Sequence, residues 1–335
     1  MVTIRDIAKE TGLSIATVSK CLNGQQVKPE NKAAIDEAVE RLHYLPNASA
    51  RSMRTQSTKI IALIVPTMKI IMIPEITMVC SEILIENGYY PIVCVTNGDP
   101  EIEKNYLLKC ASHNVDGIIS MPTCTDIDIY KKLDANGIPY VFFEQYVPGM
   151  DANTVRFSGI DAAEEMVTAV HAAGHEHGAV IFGHRHAQAF QSRFSILKSV
   201  VEKHGYILPP EYVIFTETNI ISGNHAMKQL LALPEPPTVV FCLGEELTIG
   251  AYSALRQTDL IIPDDIALIG LKNTTNIDFT EPLSITCLMQ PNEQLGKACV
   301  TRLLELLKMK ENGTDSTKEH VHITIPVKFV PGDTL

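Results

Sequence analysis

The stretch from Ser14 to Asn23 combines side chains that can contact DNA bases with the spacing of a short helix. In such a helix Val18 and Leu22 fall on one side and point inward. On the opposite side, a lysine can donate hydrogen bonds to guanine O6 and N7, and an isoleucine or alanine can contact the thymine methyl group. The pattern therefore predicts a major-groove interface made of Ser14, Ile15, Ala16, Thr17, Ser19, Lys20 and Asn23. The alternative is a small helical bundle with one isoleucine left on its surface.

Capping residues around this stretch predict the helices that must position it. Thr3 followed by Asp6 resembles a capping box, and Gly12 ends the helix that this box begins. Ser14 is a good N-cap for the second helix, and Pro29 suits the first position of a third. The apolar positions of the third helix recur at helical spacing and are Ile35, Ala38, Val39 and Leu42. Three short helices with a tight turn between the first two predict a helix-turn-helix domain.

The sequence of residues 3–24, TIRDIAKETGLSIATVSKCLNG, closely resembles the N-terminal signature of the LacI/GalR family of bacterial transcriptional regulators. The resemblance continues through residues 38–55, AVERLHYLPNASARSMRT. It implies a DNA-binding domain at residues 1–46 and a hinge at 47–57 that folds on double-stranded operator DNA as a pair across a homodimer. The implied minor-groove residues are Asn47, Ala50, Arg51, Met53 and Arg54. Met53 replaces the family's usual leucine wedge. The alternative for this segment is a disordered linker.

Composition and charge agree with a DNA-binding segment joined to an acidic body. Net charge is −11, yet residues 1–57 carry eight Lys/Arg and six Asp/Glu, which leaves −13 on the remainder. No apolar run approaches the ~20 residues that span a bilayer, and early charged residues argue against a signal peptide. The eight cysteines are scattered, which is typical of reduced thiols and not of disulfides. We therefore expect a cytoplasmic protein with no membrane contact.

Alternating strand-like and helix-like segments from residue 58 onward predict parallel sheets covered by helices. At least eight strands are expected, which fits two sheets better than one. The candidate strands are KIIALIV, YYPIVCV, VDGIISM, YVFFEQ, AVIFG, YVIFT, VVFCLG and ALIGL. The family resemblance implies a type I periplasmic-binding-protein-like α/β body of two Rossmann-like subdomains with a ligand cleft between them. On this basis we expect one subdomain at residues 58–158 and 289–319, and the other at 159–288 and 320–335.

Motifs of catalysis and of cofactor binding are missing from the sequence: there is no G-x-S-x-G, Walker A, G-x-G-x-x-G or H-E-x-x-H. The segment GHEHGAVIFG, which contains His175 and His177, resembles a helix-turn-strand segment of the family. Both histidines are therefore expected to be structural or solvent-facing. We expect no enzymatic activity, no cofactor and no metal.

The expected effector site departs from the family pattern in its charges. Arg193 matches an arginine that commonly clamps effector oxygens, whereas Lys272 aligns with an aspartate that binds sugar hydroxyls in many members. This exchange favours a carboxylate or phosphate over a neutral sugar, so an anionic sugar or sugar phosphate is expected. The expected effector-binding residues are Met72, Ile73, His184, Arg185, Arg193, Phe241, Glu245 and Lys272. The alternative is that Lys272 faces solvent and that the protein binds no small effector, or answers to a protein co-regulator.

These observations together predict a homodimeric, sequence-specific transcriptional repressor under allosteric control by a small ligand. A ligand-binding receptor with the same fold is a rival, which the DNA-binding signature of residues 1–57 disfavours. The sequence does not indicate the effector, the operator, or whether the ligand induces or co-represses.

Overall fold

The computed structural model of the chain describes residues 2–22, 24–44, 57–183, 188–205, 208–272, 283–314 and 320–335. It consists of two compact units, residues Met1–Thr58 and Lys59–Leu335. Of the predicted hinge, only Ser57 lies within the described residues.

The first unit contains three helices, which are α1 (Ile4–Thr11), α2 (Ile15–Leu22) and α3 (Pro29–Arg41). The Thr3 backbone N–H and hydroxyl donate to Asp6 Oδ2 at 2.8 and 2.7 Å, which fixes the start of α1. Gly12 ends α1 at φ +68°, a left-handed conformation that glycine adopts without strain. The Ser14 hydroxyl then accepts the Thr17 N–H at 3.1 Å and caps α2.

The core of this unit is small and is built from all three helices. Its buried members are Ile7, Ala8, Val18, Ile35, Ala38 and Tyr44. Glu10 and Arg41 add an exposed ion pair of 2.6 Å between α1 and α3. Because α2 contributes only Val18 to the fully buried core, most of its surface is left for other contacts.

The second unit contains two lobes, each built on a six-stranded sheet. The strand order in the first lobe is β11-β5-β4-β3-β1-β2, and all neighbours are parallel. Its strands are β1 (Ile60–Val65), β2 (Tyr90–Val95), β3 (Gly117–Ser120), β4 (Tyr140–Phe143), β5 (Thr154–Ser158) and β11 (His322–Pro326). Its helices are α4 (Met72–Glu86), α5 (Pro100–Lys109, followed by a π-helical turn Cys110–Asn114), α6 (Ile127–Ala135) and α11 (Asn292–Glu311).

The strand order in the second lobe is β12-β10-β9-β8-β6-β7, in which only the β10–β12 pair is antiparallel. Its strands are β6 (Gly178–Phe182), β7 (Val213–Phe215), β8 (Val239–Cys242), β9 (Ala267–Lys272), β10 (Thr286–Met289) and β12 (Lys328–Val330). Its helices are α7 (Ile160–Ala172), α8 (Gln188–Lys203), α9 (Ile220–Leu231) and α10 (Glu245–Leu255), with a 3-10 turn at Pro210–Tyr212.

Both faces of each sheet are covered, which explains why the central strands read as nearly continuous apolar runs. In the first lobe, α4 and α11 cover one face, and side chains of α5 and α6 cover the other. Separate apolar clusters lie on the two faces of the second sheet. Among the described residues, none of the helices combines the length and hydropathy needed to cross a bilayer.

The chain crosses between the lobes three times, after β5, after β10 and after β11. The last crossing corrects the expected boundary, which assigned residues 320–335 to the second lobe. β11 pairs in parallel with β5 from His322↔Thr154 to Pro326↔Ser158, so residues 322–326 belong to the first sheet. Met289, expected in the first lobe, ends β10 in the second sheet.

Candidate DNA interface and ligand cleft

The outer side of α2 carries the predicted recognition residues at the surface of the first unit. Ile15 is 49% exposed, whereas Val18 on the inner side is fully buried. Ser14, Ala16 and Lys20 are exposed, and Thr17 and Ser19 are half-buried. An isoleucine that leaves half of its side chain in water, beside a lysine and small polar residues, suits a face that DNA covers.

Several residues predicted to contact DNA lie outside the described residues, so their placement adds nothing to this interface. They are Asn23 of the recognition face and Asn47, Ala50, Arg51, Met53 and Arg54 of the hinge. Backbone hydrogen bonds of described residues nonetheless fix the end of α2. Gly24 and Gln25 donate backbone hydrogen bonds to the Cys21 and Lys20 carbonyls at 2.9 and 3.0 Å, which closes the last turn of α2.

In the second unit, residues that follow strand ends of both lobes meet in a cleft. Ligands of parallel α/β sheets bind at these carboxyl ends. Two small cavities of about 50 and 30 Å³ lie there. Both are lined by Arg193, Leu271 and Gln290, so they are two sides of one cleft. Most of the other lining side chains are apolar, including Ile70, Met121, Phe157, Leu243 and Leu288.

Arg193 is the central cation of this cleft and is already engaged by the protein. Its Nη2 lies 3.1 Å from Glu144 Oε2 and 3.5 Å from Gln290 Oε1. The arginine and glutamate side chains are 17% and 6% exposed. The other Glu144 oxygen accepts the Phe157 N–H at 2.8 Å. The guanidinium therefore meets a matched carboxylate from the opposite lobe.

A second polar contact between the lobes lies at the start of α10. Glu246 is buried, and its Oε1 accepts the backbone N–H of Ile71 at 2.7 Å. Burial raises the pKa of Glu246, and the Ile71 hydrogen bond opposes this rise. Its neighbour Glu245 is also buried and lines the smaller cavity.

The structure brings four of the predicted effector residues together, namely Met72, Ile73, Arg193 and Glu245. Phe241 corrects the prediction, because its side chain is buried in the second-lobe core near Gly178, at the opposite end of β6 from the cleft. Lys272 is half-buried at the end of β9 and is not among the described residues that line either cavity. His184 and Arg185 lie outside the described residues.

Three cleft residues that matter for its electrostatics were not predicted: Glu144, Glu246 and Gln290. Glu144 lies near the end of the predicted strand YVFFEQ, just after the observed β4, and could have been found by the rule that ligands bind beyond strand ends. Gln290 follows β10, a strand that was not predicted. Glu246 adjoins the predicted Glu245, but its partner is a backbone N–H, which no sequence pattern marks.

Within the described part of the chain, no group of three His, Cys, Asp or Glu residues is arranged to hold a metal ion. The eight cysteines are reduced thiols, six of them buried. Burial raises the pKa of Cys80 to about 12, so this buried thiol stays protonated near neutral pH.

A three-helix domain with an exposed recognition face, joined to a two-lobed body with a cleft, defines the class of ligand-responsive DNA-binding regulators. Comparison with known families supports this class. Residues 3–47 match "Bacterial regulatory proteins, lacI family", and residues 167–335 match "Periplasmic binding protein-like domain". The chain belongs to the lacI family of bacterial regulatory proteins.

Individual relatives agree with this assignment over nearly the whole chain. The chain is 29% identical to the HTH-type transcriptional repressor PurR of Haemophilus influenzae (strain PittEE) over 317 residues, 93% of each protein. It is 25% identical to the HTH-type transcriptional repressor CytR of Escherichia coli (strain K12) over 94% of this chain and 92% of CytR. Its fold superposes on the Lac repressor dimer bound to operator and the anti-inducer ONPF with a TM-score of 0.83 and 21% identity, covering 99% and 98% of the two chains.

Proposed function

We propose that this protein is a cytoplasmic, homodimeric transcriptional repressor whose hold on operator DNA is controlled by a small polar ligand in the interlobe cleft. The observation that carries the proposal is the division of α2 into a buried side at Val18 and an exposed side at Ile15, Ala16 and Lys20. The named repressors PurR and CytR support the direction of regulation.

Control by a ligand requires that the cleft has two arrangements with different ligand affinities. The contacts Arg193–Glu144 and Glu246–Ile71 join residues of opposite lobes and depend on how far apart the lobes stand. A ligand that replaces these contacts changes the lobe arrangement. If the two arrangements bind DNA with different affinities, the ligand changes the affinity for DNA, and DNA changes the affinity for the ligand by the same factor. The Lac repressor complex, with operator and anti-inducer bound together, supports such coupling in this fold.

Exposed apolar side chains on the body support the dimer. In the first lobe, Met78 and Ile85 of α4 and Ile92 and Val93 of the edge strand β2 are exposed. The second lobe exposes Ile220, Ile221, Leu260 and Ile261. Surfaces of this kind mark interfaces between proteins, and a two-fold dimer matches an operator with two related half-sites.

The ligand chemistry that we propose is broader than the anion expected from the sequence. That expectation depended on an unneutralised Arg193 assisted by Lys272. Arg193 instead pairs with Glu144, and Lys272 is not among the described lining residues. The charges alone therefore do not choose between an anion and a neutral molecule, so neutral sugars are candidates alongside sugar acids and sugar phosphates.

Thermal melting with a panel of neutral sugars, sugar acids and sugar phosphates tests ligand control. A ligand at a hundred times its Kd stabilises the native state by about 2.7 kcal/mol, which raises the melting temperature measurably. We expect one class to raise the melting temperature of the wild type and to change its operator affinity, and Arg193→Ala to lose both responses. If no compound changes the melting temperature or the operator affinity, the proposal of control by a small ligand is wrong, and a protein co-regulator becomes the better explanation.

A further inference from the structure

The backbone N–H of Ile71 has an unusual partner for a helix terminus. Ile71 is the residue before α4, where the N–H groups have no acceptor within the helix. The side chain that satisfies it is Glu246 at 2.7 Å, which belongs to the other lobe. A carboxylate at a helix N-terminus is favoured both by its hydrogen bond and by the helix dipole.

Glu246 belongs to a helix that is closely packed in the second lobe. It is the second residue of α10, and the backbones of α10 and α9 are in direct contact: a Cβ on Gly250 would lie 2.1 Å from the Ile220 carbonyl oxygen. The carboxylate itself is buried, so solvent does not easily replace its hydrogen bond. The Arg193–Glu144 ion pair joins the same two lobes across the cleft.

The space that remains in the cleft is far smaller than a ligand. The two cavities measure about 50 and 30 Å³, whereas ligand pockets usually occupy roughly 300–1,000 Å³. A sugar-sized molecule therefore enters only when the lobes separate, and separation breaks the hydrogen bond between Glu246 and Ile71.

We propose that Glu246 is an internal latch, which holds the lobes closed by capping α4 from the opposite lobe and must open before a ligand can enter. The latch contact itself is a property of the free protein. The statement about ligand entry rests on the proposed function.

Hydrogen–deuterium exchange of the full chain, without DNA or ligand, tests the latch at the Ile71 amide. We compare the wild type with Glu246→Ala, which removes the acceptor, and Glu246→Gln, which keeps an uncharged acceptor. The exposed Glu235 serves as a matched control in the form Glu235→Ala. We expect Ile71 to exchange about ten- to a hundredfold faster in Glu246→Ala, the factor that a hydrogen bond to a charged group is worth, with Glu246→Gln in between.

The variant Arg193→Ala distinguishes two roles of Glu246: a contact that holds the lobes together, and a hydrogen bond that only caps α4. If Glu246 holds the lobes together, loss of the ion pair on the other side of the cleft also speeds exchange at Ile71. Faster exchange that is confined to the cleft, with β9 unchanged, supports the latch. Equal exchange in the wild type and in both Glu246 variants overturns it, as does an increase spread evenly over both lobes. Because operator binding is not measured here, a negative result disproves the latch and leaves the proposed function unaffected. Loss of ligand control would remove only the statement about ligand entry and leave the latch contact.

Discussion

We propose that Lys20 makes the main base contact of the recognition face. Its side chain is exposed on the outer side of α2, next to Ala16. We expect Lys20→Ala to weaken binding to the native operator by about 1–3 kcal/mol and to relax the preference at one base pair. Binding titrations against single-base operator variants measure both effects. Lys28→Ala, an exposed lysine before α3, is the matched control. An equal loss at every sequence would identify Lys20 as a phosphate contact only.

Glu103 holds a loop of the first lobe through four hydrogen bonds. Its Oε2 accepts the Thr123 N–H at 2.7 Å, the Thr123 hydroxyl at 2.5 Å and the Cys124 N–H at 3.0 Å, and its Oε1 accepts the Tyr130 hydroxyl at 3.3 Å. The residue is fully buried, and burial raises its pKa despite these donors.

Replacing Glu103 by alanine leaves these donors without their acceptor, two of them on the backbone. We expect Glu103→Ala to lower the free energy of unfolding by about 2–4 kcal/mol. Chemical denaturation followed by circular dichroism measures this loss. Glu101→Ala, at an exposed position of the same helix, should change the free energy little. Similar values for the two variants would show that the loop does not depend on Glu103.

At the scale of elements, α9 and α10 pack with almost no side chains between them. A Cβ on Gly250 would lie 2.1 Å from the Ile220 carbonyl oxygen and 2.7 Å from the Asn224 nitrogen. A Cβ on Gly223 would lie 2.6 Å from the Leu247 carbonyl oxygen. These atoms belong to the backbone, so they move only if the helices separate.

Gly250→Ala should therefore lower the free energy of unfolding by about 3 kcal/mol or more, at the upper end of overpacking costs. Ser253→Ala on the same helix is the control, because this half-buried position already carries a Cβ. Thermal melting of the two variants is the measurement. A melting temperature of Gly250→Ala equal to that of the wild type would contradict the close approach of the helices.

The elements that could be predicted from the sequence are those whose signals are local. Capping residues predicted α1, α2 and α3, and uninterrupted apolar runs predicted central strands such as β1 and β8. The strands β5, β10, β11 and β12 were missed because no long apolar run marks their sequences, which are TVRFS, TCLM, HITIP and KFV. The residues of β11 also alternate between half-buried and exposed. The boundary near residue 320 was wrong for the same reason, since β11 is placed by its pairing with the distant β5.

In the candidate site too, residues with a local signal could be predicted and contacts between distant residues could not. Arg193 and Met72 could be placed by the family pattern, and both line the cleft. The partner of Arg193 could not be predicted, because Glu144 comes from another lobe and only the fold brings the two side chains to 3.1 Å. The anionic ligand expected from Arg193 and Lys272 stays a prediction, since counting cations in a sequence does not reveal which of them the protein itself neutralises.

At the scale of the whole molecule, we propose that the exposed apolar surface of α4 and β2 forms the dimer interface. Ile85 is 61% exposed on α4. We expect Ile85→Asp to shift the protein toward monomers in sedimentation velocity, because a charge at an apolar contact is costly to bury. Operator affinity should fall with it. Leu108→Asp, at an exposed leucine of α5, is the control. A variant Ile85→Asp that remains dimeric would place the interface elsewhere.

Selection of binding sites from a random double-stranded DNA library tests the central claim most directly. The wild-type protein should enrich one sequence made of two inverted half-sites, because a two-fold dimer presents two copies of α2 to the major groove. The Lys20→Ala variant should enrich the same sequence with one position in each half-site relaxed. Failure to enrich any sequence, or enrichment of a single half-site bound by a monomer, would contradict the account.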